Sequence, residues 1–259
     1  MLLAIDVGNT NTVMGVFDGE TLCNSWRIKT DARNTADELA LTFRGLLDGM
    51  KITGIAACST VPAVLRELRT MLSRYYADVP TVLVEPGVRT GVSILTDNPK
   101  EVGTDRICNS AAAHHLAEGP CIVVDFGTST NFDVVSARGD FLGGALAPGI
   151  EISLDALASR AAQLRKVELV APRSPIGRNT VESLQSGILY GFAGQVDGMV
   201  RRLSRELTPS DPQSVQVIAT GGLATLVVDQ SETVTRYEPD LTLLGLRLIY
   251  ERNEPPLRP

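Results

Sequence analysis

Two short segments of the 259-residue chain carry the same chemistry. Asp6-Val7-Gly8-Asn9-Thr10-Asn11-Thr12 and Asp125-Phe126-Gly127-Thr128-Ser129-Thr130-Asn131 each place an acid at the end of an apolar run, then a glycine, then a string of small neutral donors. The glycine lets the backbone turn tightly and approach a ligand closely. Successive N–H groups around Gly8 can form an anion-binding nest. An acid at a strand end can hold a hydrated Mg2+, which takes one or two carboxylates and keeps its waters. This is a set for handling phosphate. No Lys follows the glycines, so it is not a Walker loop. The segment runs on into a strand rather than a helix, so it is not a dinucleotide fingerprint. One copy alone reads as readily as a polar hairpin turn that satisfies its own backbone. The second copy is what favours a ligand.

The elements around each acid also repeat. Leu2–Val7, Thr12–Phe17 and Thr21–Lys29 read as three antiparallel strands, with Asp18-Gly19 as the tight turn. Cys121–Asp125, Phe132–Ser136 and Phe141–Ala147 repeat that meander. Thr35 with Glu38 three residues on predicts a capped helix start, and Pro62 predicts another. Strands are expected at Ile52–Ser59, Thr81–Glu85 and Val215–Ala219, and helices at Asp155–Arg165, Asn179–Leu203 and Thr242–Arg252. The two acids lie 119 residues apart (6 against 125), a period too long for a solenoid. The expectation is an α/β protein of two duplicated halves, 1–117 and 118–259, each with a central mixed sheet and with a cleft between them.

Composition narrows the function classes. Hydrophobic residues make up 44% and charged residues 21%, enough apolar material for a substantial core. The net charge of −6 argues against a nucleic-acid partner, which usually meets a basic face. No apolar run approaches the roughly 20 residues that span a bilayer, and MLLAID lacks the basic start of a signal peptide. The reading is a cytoplasmic protein with no membrane partner. Cys23, Cys58, Cys108 and Cys121 form no C-x-x-C pair and are expected as free thiols. His114 and His115 are adjacent, a poor spacing for a shared metal.

The first hairpin resembles the phosphate loop of the sugar-kinase, chaperone and actin superfamily, with its ribonuclease-H-like halves. More narrowly, the chain resembles type III pantothenate kinase. The segment Asp6 to Thr12 matches that family's first motif, and Gly103-Thr104-Asp105-Arg106 matches its Gly-x-Asp-Arg substrate motif. Gly143-Gly144-Ala145-Leu146-Ala147-Pro148-Gly149, Asn179-Thr180 and Ala219-Thr220-Gly221-Gly222 follow in the family's order. The resemblance implies an actin-like fold and ATP-dependent phosphorylation of pantothenate to 4'-phosphopantothenate, the first step of coenzyme A biosynthesis. It implies Asp105 as the general base, with Gly103, Thr104, Asp105, Arg106 and Thr180 at the substrate. Asp6, Val7, Gly8, Asn9, Thr10, Asn11, Thr12, Val13 and Thr128 would bind ATP. Asp125 would hold a monovalent cation, K+ or NH4+, and Asp6 would be the Mg2+ ligand. Thr180 would reach the site from a neighbouring subunit, which implies a homodimer.

The chain departs from the family pattern at three places. Ser129 and Asn131 stand where the second hairpin usually has Ala and Thr. Thr96 stands where many members carry a tyrosine near pantothenate, and Leu164-Arg165 replaces a frequent Leu-Pro. Two alternatives therefore stay open at this stage. One is a weakly active or regulatory relative that binds nucleotide. The other is a different actin-like-fold ATPase or phosphatase.

Overall fold

The computed structural model describes residues 1–160 and 167–253 of the chain, which divides into two compact units.

The first unit is built on a five-stranded sheet of order β3-β2-β1-β4-β5. Its strands are β1 (Leu2–Val7), β2 (Asn11–Asp18), β3 (Thr21–Lys29), β4 (Gly54–Ser59) and β5 (Thr81–Leu83). β1, β2 and β3 form the antiparallel meander, while β4 and β5 add on in parallel beside β1. Alternation along β1 decides which side chains go where. Leu3, Ile5 and Val7 face α1 (Ala36–Leu46) and α2 (Pro62–Tyr75), where Phe43, Leu68 and Met71 close the core. α1 starts as expected: Thr35 and Glu38 form a reciprocal capping box. On the opposite face Ala4, Ala56 and Cys58 pack with Cys108 of α3 (Thr104–Leu116) and with Leu243, Leu246 and Ile249 of α7 (Leu241–Asn253). A Cβ on Gly245 would overlap the carbonyl of Cys108, so the glycine lets α7 approach α3 at backbone distance. Asp6 is in phase with Ala4, and therefore lies on this second face.

The second unit repeats the plan with order β10-β9-β6-β7-β8. β6 (Cys121–Phe126), β7 (Ser129–Val135) and β8 (Phe141–Pro148) form the meander, and β9 (Gln216–Thr220) and β10 (Arg236–Tyr237) the parallel extension. Ile122, Val124, Phe126, Phe132 and Val134 pack against Phe192, Ala193, Val196 and Val200 of α5 (Thr180–Leu207). Ile150 of α4 (Ile150–Arg160) and Ala224 and Val227 of α6 (Ala224–Val227) complete this core. The expected duplication is therefore present strand for strand.

Two expectations need correcting. α4 begins at Ile150, not Asp155, because the Ser153 N–H already bonds the Gly149 carbonyl and Ile150 and Leu154 are buried. α3 was not expected as an element at all. The end of the helix predicted over Asp155–Arg165, including Leu164-Arg165, lies outside the described residues.

Candidate functional site

The first hairpin turns where β1 gives way to β2. The Gly8 N–H bonds the Asn11 carbonyl at 3.0 Å, and Asn9 and Thr10 stand exposed at the tip. Val7 sends its side chain into the core. Thr12 is buried, with its hydroxyl paired to Thr30 at 2.9 Å, so it braces the hairpin against the end of β3.

Asp6 is half-buried at the base of this turn. It pairs in register with Val13 on one side and Cys58 on the other. Its carboxyl is pushed up from 3.8 to about 7. Burial is the main cause and the negative charge of Asp105 adds to it, while the Cys58 thiol and the charge of Arg27 oppose it. The first unit thus brings together two acids that lie 99 residues apart in sequence (6 against 105).

Asp105 reaches this place on the first turn of α3. The Thr104 hydroxyl bonds the Ser59 carbonyl at 3.3 Å, which ties the helix start to the end of β4. Asp105 Oδ1 accepts from the Arg106 N–H at 2.8 Å. Burial raises the Asp105 carboxyl, and that N–H and the Arg106 charge oppose the rise. A Cβ on Gly103 would collide with Asp105 Oδ1, so this glycine is required for the carboxylate to fold back over the helix start. Two half-buried acids that repel each other suit a phosphate-bound Mg2+, whose charge would relieve the repulsion. Among the described residues no group of three His, Cys, Asp or Glu side chains is placed to cage a metal unaided.

The second hairpin has the same frame and a different filling. The Gly127 N–H bonds the Ser129 carbonyl at 3.0 Å. Asp125 pairs across the antiparallel ladder with Asn131 and across the parallel one with Thr220. Ser129 and Asn131, the two departures in this hairpin, are joined by a hydrogen bond. Two glycines pack against the turn. A Cβ on Gly149 would overlap the Thr128 carbonyl. Gly221, at φ +93°, would bring one within 2.6 Å of Asp125 Oδ1. Thr96 touches Gly143 of β8, and its hydroxyl oxygen is buried without a hydrogen-bond partner.

Thr180 opens α5 in the second unit and is exposed, behind an Asn179 cap that accepts from the Glu182 N–H. Sequence reading missed Cys58 as a neighbour of Asp6. Its only signal is the β1–β4 register, which no local pattern contains.

A duplicated β-meander sheet with an acid-led hairpin in each copy is an actin-like fold. Its likeness to solved structures agrees. The inorganic polyphosphate/ATP-glucomannokinase of Arthrobacter sp. strain KM matches 98% of this chain and 99% of its own at a TM-score of 0.53 and 14% identity. The type III pantothenate kinase family model matches residues 2–202. The type III pantothenate kinase of Frankia alni is 68% identical over 253 residues, covering 98% of this chain and all of the relative. That of Saccharopolyspora erythraea is 67% identical, covering 98% and 99%. The chain belongs to the type III pantothenate kinase family.

Proposed function

We propose that this protein transfers the γ-phosphoryl group of ATP to the hydroxyl of pantothenate, giving 4'-phosphopantothenate and ADP at the entry to coenzyme A biosynthesis. The observation that carries the mechanism is the charge coupling between Asp6, at the base of the phosphate hairpin, and Asp105, at the start of α3. It is supported by family membership over most of the chain.

Asp105 acts as general base. As the pantothenate oxygen attacks the γ-phosphorus, its proton passes to the Asp105 carboxylate and the bond from phosphorus to the β–γ bridging oxygen breaks. A base raised by burial sits closer to working pH, which suits proton transfer. Gly103, Thr104 and Arg106 line the substrate around it. The hairpin from Asp6 to Val13 holds ATP through backbone N–H groups and neutral side chains, with Thr128 as a further nucleotide contact. Such transfer depends on positioning and charge stabilisation. Mg2+ held at Asp6 would supply the positive charge that a P-loop lysine supplies elsewhere, and Asp125 would hold a monovalent cation.

The working form is a cytoplasmic homodimer in which Thr180 completes the pantothenate site of the neighbouring subunit. The exposure of Thr180 beside exposed Ile176 and Val181 supports this. Mixing Asp105→Asn with Thr180→Ala protomers tests it. Mixed dimers should regain about a quarter to a half of wild-type turnover, as sites completed by a partner do. No recovery after verified exchange contradicts it. A coupled assay of ADP release with Mg2+ and K+ tests the activity itself. Release should require pantothenate, and pantothenate-indifferent ATP hydrolysis contradicts the reading.

A further inference from the structure

Cys58 ends the apolar run of β4 and is fully buried, yet its thiol meets an acid. The parallel register sets it beside Asp6, and Sγ donates to Asp6 Oδ1 at 3.3 Å. Among the described residues this is the one side-chain hydrogen bond to that carboxyl. On its other side Cys58 packs with Cys108 of α3. A neutral thiol carries its proton on sulfur, so Cys58 is placed as a donor to Asp6.

The duplicated fold supplies an independent comparison. In the second sheet the position beside Asp125 is Thr220, again buried and again able to donate from its side chain. Both copies thus set a side-chain donor next to the hairpin acid, on the strand where a purely apolar residue would pack as well. A carboxylate already anchored at one oxygen loses less freedom when the other meets a ligand.

We propose that Cys58 is a positioning residue for the nucleotide site: its S–H anchors Asp6 Oδ1 and leaves Oδ2 for the cation carried by the ATP phosphates. This rests on reading Asp6 as the nucleotide-side acid. It adds to that reading a residue outside every sequence motif considered above.

The test is calorimetric titration of the full chain with Mg·ATP, with thermal melts confirming that each variant folds. Cys58→Ala and Cys58→Val, the second keeping the buried volume, should each weaken binding about five- to tenfold, the worth of one ordinary hydrogen bond. Cys58→Ser keeps a donor and should stay within about threefold of wild type. In an Asp6→Asn background, Cys58→Ala should cause almost no further loss, because the effect travels through Asp6. Wild-type binding by both Cys58→Ala and Cys58→Val overturns the proposal. So does equal weakening by Cys58→Ser, or a Cys58→Ala loss undiminished beside Asp6→Asn. The titration needs no turnover. A wild-type chain that binds Mg·ATP but leaves pantothenate unphosphorylated contradicts the proposed function and not this inference. One that does not bind Mg·ATP overturns both.

Discussion

The hydroxyl of Ser129 donates to Oδ1 of Asn131 at 2.9 Å, so the two places where the second hairpin departs from its family pattern are bonded to each other. Asn131 is also the register partner of Asp125. The pair behaves as a unit that fixes the Asn131 amide next to the acid, in place of the smaller Ala and Thr. Ser129→Ala alone, or Asn131→Thr alone, should raise the KM for ATP about three- to tenfold by leaving one partner unbonded. The double variant, which restores the family pattern, should lie closer to wild type than the two single effects added together. Additive effects in steady-state kinetics would contradict the coupling.

Gly103→Ala tests the fit around the base. The new Cβ would overlap Asp105 Oδ1, which must then swing away from the start of α3. The expected result is a fall in kcat of about 10- to 100-fold with little change in the KM for ATP, since misplacement of a base by about an ångström costs that much. An unchanged kcat would show that the observed carboxylate position is not the working one.

Asp6 makes the nucleotide-free protein sensitive to pH. Its carboxyl titrates near 3.8 when unfolded and at about 7 when folded. Between those values the folded chain holds a proton that the unfolded chain has released. Stability therefore falls as pH rises from about 4 to about 7 and levels off above, costing roughly 1–3 kcal/mol once partial exposure is allowed for. Asp6→Asn should remove this slope. Its melting temperature should exceed wild type by a few degrees at pH 8 and match it near pH 4.5. The same difference at both pH values would contradict the assignment.

Much of this was open to a sequence reading, and the exceptions have physical causes. The hairpins, the Thr35 cap and the apolar runs of β1 and β6 are local patterns, and they survive folding unchanged. α3 was hidden because its buried faces carry polar residues. Asn109 and Ser110 are fully buried, bonded to the Thr242 hydroxyl and the Arg106 carbonyl, and they break the apolar stripe that marks a helix. Asp105 was found as a motif residue, but its nearness to Asp6 depends on that helix. Likewise, the apolar face of α7 does not announce which sheet it covers. Cys58 reads as one more apolar strand residue until β4 is laid beside β1.

Asp197 gives a stability prediction away from the chemistry. This buried acid on α5 accepts from the hydroxyls of Ser231 and Thr233 at 2.7 and 2.8 Å. It also accepts from the N–H groups of Glu232 and Thr233 at 3.0 and 3.1 Å. Burial alone would raise its carboxyl, but these bonds outweigh burial and hold it below the ordinary value. Asp197→Ala should cost about 3 kcal/mol in denaturant unfolding, because several donors lose their partner together. The KM values of the folded fraction should not move, and a loss below about 1 kcal/mol would contradict the account.

The most direct test of the central claim is detection of 4'-phosphopantothenate by 31P NMR from wild type and Asp105→Asn, with ATP, Mg2+ and K+. The account predicts one phosphorylated product per ADP from wild type. It predicts a rate lower by about 100- to 10,000-fold in Asp105→Asn, the range for losing a general base, with Mg·ATP still bound. No product from wild type, or equal rates from the two proteins, would contradict it.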